Sequence, residues 1–474
     1  MLFDMQNNAV QVETGLAERP WLAVATVCLG AAMAAIDASI VSVGNPTMQH
    51  YFHTTTSNIA WVSLTYLLVL TTIVVLAGRL ADGIGRSRMY RFGFIVFGVA
   101  SAGCGFAPSL GVLLVSRLVQ GVGAAMLQAN SVAIVTSSVP ASMRGRAIGV
   151  QGAAQAVGLA IGPVLGGFLI AAFTWRAIFL VNLPIAAIAL IVAPYTLPKD
   201  PSGRVMPHVD VLSSVLMAVV LVLALLTLNP SLPGHQFWYV ELAIAIVLAY
   251  VFARRQGLVP TPLVEPELVK ILNVTGGVVL GVLSFSVLYG IMLLAPYYFE
   301  WVRHQSTANV GLLVMALALA MTAVAPLAGT LADRFGNRRV AVGGLVILAV
   351  GSLAIYLWTP LIAFGLTVPA MALVGAGAGV FTPPNNSSVM GSAPPEHLGV
   401  TGGLLNMGRS IGMSLGQALV AAVFEIESLK GGYYQGFRAG AILVLAIALV
   451  ALVLQWFMPK DTGNAGHDMP FLPD

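Results

Sequence analysis

Long apolar runs alternate with short polar segments along almost the whole chain. Fourteen runs of roughly 20 residues follow one another between residues 20 and 458, and a run of this length spans a hydrocarbon core of about 30 Å. Because lipid offers the backbone no hydrogen-bond partner, such runs must be helices. The pattern therefore predicts an all-α polytopic membrane protein with 14 transmembrane helices.

The composition supports this prediction. The chain is 58% hydrophobic and only 8% charged, whereas an ordinary soluble domain is about one quarter charged. The first apolar run is long and follows about 20 mostly polar residues, which is not the pattern of a cleaved signal peptide of 15 to 30 residues. A chain of this composition needs membrane lipids as its surroundings.

The basic residues predict the orientation. If the N-terminus is cytoplasmic, 16 of the 22 Lys and Arg residues fall in cytoplasmic segments, which is the positive-inside asymmetry of membrane proteins. We therefore expect both termini to be cytoplasmic, in a bacterial inner membrane. The net charge of +4 follows from these loops and indicates no nucleic-acid partner.

Two segments occur twice. Residues 78–88 read GRLADGIGRSR and residues 329–339 read GTLADRFGNRR, 251 residues later. Residues 149–167 and 399–417 share five glycines at an offset of 250. Two repeats with nearly one offset indicate a duplication of six helices. The predicted organisation is a cytoplasmic tail at 1–19, a six-helix bundle at 20–198, two inserted helices with linkers at 199–272, a second six-helix bundle at 273–458 and a cytoplasmic tail at 459–474.

The motifs resemble a known family. GRLADGIGRSR resembles the signature loop of the major facilitator superfamily, and AIDASIVSVGNP, RLVQGVGAAM, GLAIGPVLGG and WRAIFLVNLP resemble its fourteen-helix drug:proton antiporter branch. The resemblance covers nearly the whole chain. In the first of these motifs Ala38 and Ser42 stand where the family usually has Thr and Asn.

The resemblance implies a function. Members of that branch are secondary transporters that export amphipathic, drug-like compounds in exchange for protons by alternating access, a multidrug efflux that confers antibiotic resistance. The proton gradient is then the energy source, no cofactor is needed, and we expect a monomer. No ATP-binding Gly-x-x-x-x-Gly-Lys-Ser/Thr signature and no His-Glu-x-x-His zinc motif occurs in the sequence, so we do not expect ATP to supply the energy. The resemblance implies a transporter and not an enzyme.

The repeated hairpins are candidate gates. Asp82 is expected near the start of helix 13 and Asp333 near the start of helix 5, where each carboxylate would face the positive end of a helix dipole and latch the bundles together. The alternative is that these acids only solvate short loops. The hairpin residues of interest are Gly78, Asp82, Gly85, Arg86, Arg88, Gly329, Asp333, Gly336 and Arg339.

Helix 5 carries an unusual run of glycines around a proline. Small residues four positions apart make a flat stripe on which another helix can pack closely, and Pro163 permits a kink. In the resembling family this motif marks exporters, whereas a tight helix crossing is the purely structural interpretation. The residues are Gly158, Gly162, Pro163, Gly166 and Gly167.

Two charges lie deep within predicted helices. Asp37 in helix 1 and Arg117 in helix 4 both lie about seven residues, or ~10 Å, from the same membrane face. Charges at this depth cost several kcal/mol and are typically functional. A buried carboxylate beside a cation can exchange a proton as access and substrate change, so we predict a proton-coupling pair. A static ion pair is the alternative.

Other polar and aromatic residues are candidates for a substrate cavity. Aromatic side chains could form a pocket for flat apolar cations, although packing explains such residues equally. The candidates are Trp61, Tyr66, Phe285, Tyr289, Glu300, Asn406 and Arg409. No metal site is predicted. An exporter of a lipid or endogenous metabolite remains an alternative function, and an intramembrane enzyme or sensor on the same scaffold is a remote one.

Overall fold

The computed structural model of the protein describes residues 20–140, 143–200, 210–229, 237–259, 262–394 and 397–459. The predicted tail at 1–19, linker residues 201–209 and residues 460–474 lie outside these ranges. Within them, all regular secondary structure is helical. The predicted all-α fold is therefore confirmed.

Six helices form the first bundle. They are α1 (Pro20–Phe52), α2 (Thr56–Ile84), α3 (Arg86–Gly105), α4 (Leu110–Ser138), α5 (Arg144–Ala172) and α6, which consists of the segments Ala177–Leu180 and Asn182–Thr196. Two helices follow, α7 (Val211–Leu226) and α8 (Trp238–Gln256), and pack on each other, while α7 also contacts α2.

Six further helices form the second bundle. They are α9 (Leu272–Tyr297, extended by a π-helical turn at Tyr298–Val302), α10 (Thr307–Phe335), α11 (Asn337–Tyr356), α12 (Phe364–Ser392), α13 (Leu398–Gly431) and α14 (Tyr433–Phe457). A short helix, Pro266–Lys270, precedes them. Each predicted apolar run thus corresponds to one helix.

Eleven helices of the described residues are long and apolar enough to cross a membrane. The other three long helices are α3, whose first turns carry Arg86 and Arg88, α7, which has 16 residues, and α8, which ends in Arg254 and Arg255. Charged residues in α3 and α8 and the short length of α7 distinguish these three helices from the eleven. The count of 14 membrane crossings therefore stays a prediction.

The duplication is visible in the helix termini. His53 directly follows α1, and His304 follows the π-helical turn after α9, 251 residues later. Both residues adopt a positive φ, of 49° and 51°. Thr55 and Ser306 then cap the next helices by accepting hydrogen bonds from backbone amides three residues on. A non-glycine residue at positive φ is uncommon, so this repeated detail indicates a common origin of the two bundles.

The bundles meet at one end of the molecule. We call the end that carries residues 78–88 and 329–339 the hairpin end, and the end that carries His53 and His304 the opposite end. The largest hydrophobic cluster draws buried residues from both bundles, whereas the smaller clusters toward the hairpin end each draw theirs from one bundle.

Specific contacts across the opposite end join the bundles. The Ser57 amide of α2 donates to the Glu425 carboxylate of α13 over 2.7 Å. The Tyr297 hydroxyl donates to the Gln49 side chain over 2.7 Å. By contrast, Gly402 on the hairpin half of α13 faces open space.

Candidate functional site

Asp37 and Arg117 form a buried ion pair inside the first bundle. Arg117 Nη1 lies 2.5 Å from Asp37 Oδ2, and the two side chains are 1% and 0% exposed. The structure thus brings α1 and α4 together at the two deep charges singled out in the sequence. Such a pair compensates the desolvation cost of each charge only if the remaining hydrogen-bonding groups are satisfied.

Two amides satisfy the second carboxylate oxygen. Gln120 Nε2 donates to Asp37 Oδ1 over 2.9 Å, and Asn182 Nδ2 donates to the same oxygen over 3.0 Å. Gln120 lies one turn after Arg117 on α4, and Asn182 begins the second segment of α6. The carboxylate therefore holds three helices together.

The guanidinium is also held from several directions. Arg117 Nε donates to the Val62 carbonyl over 2.7 Å, and Nη1 donates to Gln120 Oε1 over 2.6 Å. The Tyr66 ring lies against the guanidinium, with its centroid 4.4 Å from Cζ. Gln120 in turn donates to Ser101 of α3 over 2.8 Å. The network thus connects α1, α2, α3, α4 and α6.

One oxygen at this site has no donor. Asn182 Oδ1 is buried and accepts no hydrogen bond from any described residue. A buried acceptor without a donor carries an energetic cost. The network therefore contains a place that can accept one more proton donor.

The second bundle has apolar residues at the matching positions. Leu288 lies 251 residues after Asp37, and Met371 is the eighth residue of α12 as Arg117 is of α4. Both are fully buried members of the main hydrophobic cluster. The helix arrangement alone therefore does not require charges at these positions.

The first hairpin is held by charges from its own bundle. Asp82 accepts from Arg86 Nε and Nη2 over 3.1 and 3.0 Å, at an exposed position. Gly85 has φ 116° and is the N-cap of α3. Asp200 caps this helix, accepting from the backbone amides of Ser87 and Arg88 over 3.0 and 2.9 Å.

The other hairpin residues are more exposed. Gly336 adopts φ 86° at the turn between α10 and α11. Asp333 and Arg339 are exposed, as is Arg88 in the first hairpin, and a Cβ on Gly329 would meet open space. A Cβ on Gly78 would meet only Ala129 of its own bundle. The latch between the bundles stays a prediction, for a state in which the hairpin ends approach.

The glycine stripe of α5 packs on α1. An added Cβ at Gly158 would lie 2.7 Å from the Ala32 carbonyl, and at Gly162 and Gly166 it would meet Ser39 and Ile40. The adjacent face of α5 packs against α10 of the other bundle. There Gly167 contacts the Thr307 backbone, and the Pro163 carbonyl contacts Gly311. Gly408, Gly412 and Gly416 place α13 on α9 in the same manner.

The aromatic candidates and Arg409 lie within the long helices, Trp61 near the start of α2. Tyr66, Phe285 and Tyr289 are buried, and Trp61 is partly exposed. The Arg409 guanidinium lies over the Phe285 ring, 5.1 Å from its centroid. Asn406 is exposed and donates to the Gly402 carbonyl, so its amide does not serve Arg409.

Glu300 lies apart from these residues, at the opposite end. It belongs to the π-helical turn after α9 and faces a cavity of about 380 Å³ that also contacts Gln49, His50, His53, Trp301, His304 and Tyr433. Its Oε1 is buried without a hydrogen-bond donor among the described residues. The structure thus separates Glu300 from Arg409 and the aromatic residues.

Several residues of the site escaped the sequence interpretation. Gln120, Asn182 and Ser101 complete the Asp37 network, Asp200 caps α3, and Glu425 accepts a hydrogen bond between the bundles. The first two occur in motifs that resemble the family, RLVQGVGAAM and WRAIFLVNLP. A polar amide side chain within an apolar helix was the sequence feature that could have indicated Gln120 and Asn182 as partners of the buried charges.

The chain is similar to known transport and resistance proteins. The chain is 28% identical over 456 residues to the riboflavin transporter RibZ of Clostridioides difficile, covering 94% of this chain and 99% of that protein. It is 30% identical over 404 residues to the multidrug resistance protein Stp of Mycobacterium tuberculosis, covering 83% and 74%.

A solved structure shares the fold. The peptide transporter POT, crystallised in complex with sulfate, matches with a TM-score of 0.69 at 14% identity and covers 91% of this chain and 94% of its own. The profile of the Major Facilitator Superfamily matches residues 27–417 and 278–468. The chain is therefore an integral membrane transporter that belongs to the Major Facilitator Superfamily.

Proposed function

We propose that the protein is a secondary active exporter of amphipathic, drug-like compounds that runs on the proton gradient of a bacterial inner membrane, by exchange of substrate for protons. The observation that carries this proposal is the buried Asp37–Arg117 network, which the first bundle contains and the second replaces with apolar residues. Similarity to a protein named for multidrug resistance supports the substrate class.

The network suits a carboxyl group that changes its protonation. The charged form is served by Arg117, Gln120 and Asn182. After proton uptake, the carboxyl hydroxyl needs an acceptor, and Asn182 Oδ1 is a buried oxygen to which no described residue donates. Both protonation states of Asp37 can therefore be accommodated with small side-chain movements.

The contacts between the bundles support alternating access. They lie at the opposite end, so the described conformation is closed there, and we propose that this is the state that opens toward the hairpin end. We assign the hairpin end to the cytoplasm, because its loops carry most of the basic residues. In the other state the hairpins would approach the starts of α13 and α5, and the contacts at the opposite end would break.

The proposal is tested by proton release from purified protein in proteoliposomes. Adding substrate, such as a dye that expressing cells export, should release protons from wild type and not from Asp37→Asn. Glu427→Gln is the matched control, since Glu427 pairs with Lys430 at the surface. Substrate movement without any dependence on a pH gradient would contradict proton antiport.

Export of an endogenous metabolite is the second candidate. It is favoured by the similarity to a riboflavin transporter over almost the entire chain. A panel of antiseptics, dyes and vitamins offered to expressing cells separates the two functions. Efflux confined to one metabolite would replace the multidrug proposal while keeping the transport mechanism.

The hairpin acids provide a test of the gate. Asp82→Asn should leave the protein folded but slow transport, because it weakens the cytoplasmic latch. Asp333→Asn should have a smaller effect, since α5 and α10 also pack through Pro163 and Gly311. Transport rates of the two variants relative to wild type measure this, and full activity in both would assign the acids to loop solvation.

A further inference from the structure

The acidic groups of the helix interior are already engaged. Asp37 pairs with Arg117 and accepts from two amides. Glu425 accepts from the Ser57 amide, and Glu300 lies in the cavity at the opposite end. Asp37 and Glu425 are therefore occupied by protein partners, and Glu300 lies away from Arg409, at the opposite end.

Arg409 is the contrasting case. It lies 11 residues after Leu398, the first residue of α13, which places it about 16 Å along the helix. It forms no ion pair with an acid of the described residues, and no protein acceptor there takes a hydrogen bond from it. A guanidinium carries five N–H donors, so its donors remain available.

The residues of α13 on the hairpin side of Arg409 are loosely surrounded. A Cβ on Gly402 or Gly403 would meet open space, and Asn406 is exposed. Arg409 and Ser410 are partly exposed as residues. Small and polar residues therefore precede Arg409 on the hairpin half of α13.

An aromatic ring adjoins the guanidinium. The Phe285 ring lies against it, with its centroid 5.1 Å from Cζ, and is itself buried. The Tyr66 ring lies against the Arg117 guanidinium of the first bundle in the same manner, at 4.4 Å. One face of Arg409 is thus covered by an apolar ring while its N–H groups have no protein acceptor among the described residues.

We propose that Arg409 binds the anionic head group of an amphipathic cargo, a carboxylate, sulfonate or phosphate, beside the Phe285 ring that lies against its guanidinium. The planar guanidinium fork matches such oxyanions in two-pronged geometry. This inference rests on the proposed export function only in naming the bound molecule a cargo. It reverses the sequence-based expectation of apolar cations.

Two xanthene dyes of similar shape test the proposal, fluorescein as the anion and rhodamine 123 as the cation. Fluorescence polarisation with purified protein in detergent at pH 8 gives the dissociation constants without any proton gradient. Wild type should bind fluorescein at least about tenfold more tightly than rhodamine 123. Arg409→Gln should weaken fluorescein binding by about tenfold or more and leave rhodamine 123 binding unchanged or stronger.

Two further variants complete the test. Arg409→Lys should retain an intermediate affinity for fluorescein, because it keeps the charge and loses the fork. Arg438→Gln is the matched control, an exposed arginine that contacts Tyr356 on α11, and should bind both dyes as wild type does.

Three results would overturn the proposal: no fluorescein binding by wild type, fluorescein affinity unchanged in Arg409→Gln, or equal weakening of both dyes together with a lowered melting temperature, which marks a structural arginine. Failure of proton coupling in proteoliposomes with selective dye binding intact would refute the exchange mechanism and leave this inference standing.

Discussion

At the residue scale, the sequence shows charges more clearly than it shows their neutral partners. Asp37 and Arg117 stand out because ionised groups are rare in apolar helices, and their depths follow from counting residues. Gln120 and Asn182 are less conspicuous, since many neutral polar residues occur in such helices and their partners depend on how each helix is rotated. The structure supplies that rotation.

Arg117→Ala is expected to change the pH dependence of proton-driven transport. The substitution removes the cation that pairs with Asp37 and leaves that carboxyl buried without its counter-charge. Because the pair is proposed to couple protons to transport, its loss should alter how the transport rate depends on pH. The measurement is the rate of proton-driven transport against pH for wild type and variant in proteoliposomes.

A purely structural ion pair predicts a different outcome. Removing one partner of a buried pair typically costs ~3–5 kcal/mol, so the variant would melt early with an unchanged pH optimum. The double variant Asp37→Leu, Arg117→Met copies the apolar residues of the second bundle. It should melt at a higher temperature than Arg117→Ala yet lack proton-coupled transport, which separates stability from mechanism.

At the scale of elements, apolar length and the repeats predict which segments are helices and which correspond. The glycine stripes predict only part of the helix pairing. The sequence indicates that α5 presents a flat face, but α1 as its partner depends on packing throughout the bundle. The break in α6 and the π-helical turn after α9 have no comparable signal, because they depend on contacts with neighbouring helices.

Gly158→Ala is expected to impair both stability and transport. The new methyl group would lie 2.7 Å from the Ala32 carbonyl of α1, a backbone atom that cannot move unless the helix does. Overpacking of this kind costs about 1–3 kcal/mol. Thermal melting and dye efflux are the measurements.

Gly152→Ala is the matched control on the same helix. A Cβ at Gly152 meets nothing within 4 Å, and both substitutions gain the same helix propensity. Equal melting temperatures for the two variants would contradict the close α1–α5 contact.

The Asp210 carboxylate at the start of α7 pairs with Arg255 of α8, so we expect the packing of these two helices to weaken in acid. Burial opposes ionisation of its carboxyl, but hydrogen bonds from Ser213 and Arg255, together with the Arg255 charge, hold its pKa below the usual value. Its contribution to stability is therefore complete above the unfolded-state pKa of about 3.9 and is lost as the pH falls below it.

The expected contribution of Asp210 is about 1 kcal/mol, because Arg255 is partly exposed to solvent and the ion pair is screened. Asp210→Asn should lower the melting temperature at pH 7. Between pH 5 and pH 3 the melting temperature of the variant should fall by less than that of wild type. Parallel pH profiles for the two proteins would argue against a role for this carboxylate.

At the scale of the whole molecule, the duplicated bundles are predictable and their relative position is not. One sequence must support both conformations of a transporter, so the pattern of residues cannot indicate which end is closed. The contacts at the opposite end, from Ser57 to Glu425 and from Tyr297 to Gln49, decide it for the described conformation.

Joining the bundles at the opposite end is expected to stop transport. Ser57→Cys and Glu425→Cys, in a Cys28→Ala, Cys104→Ala background, replace residues whose polar atoms lie 2.7 Å apart. A short bis-maleimide with a cleavable disulfide can bridge the two thiols. Because alternating access requires this end to open, dye efflux should fall to background after cross-linking and recover after reduction.

The cross-linked protein should nevertheless bind its ligand. It is held open toward the hairpin end, so Arg409 remains accessible and fluorescein binding should persist while export is blocked. Glu425→Cys alone, treated with the same reagent, controls for modification of the thiol. Export at the wild-type rate with the cross-link in place would mean that the bundles do not part at the opposite end, and the proposed gate would have to lie elsewhere.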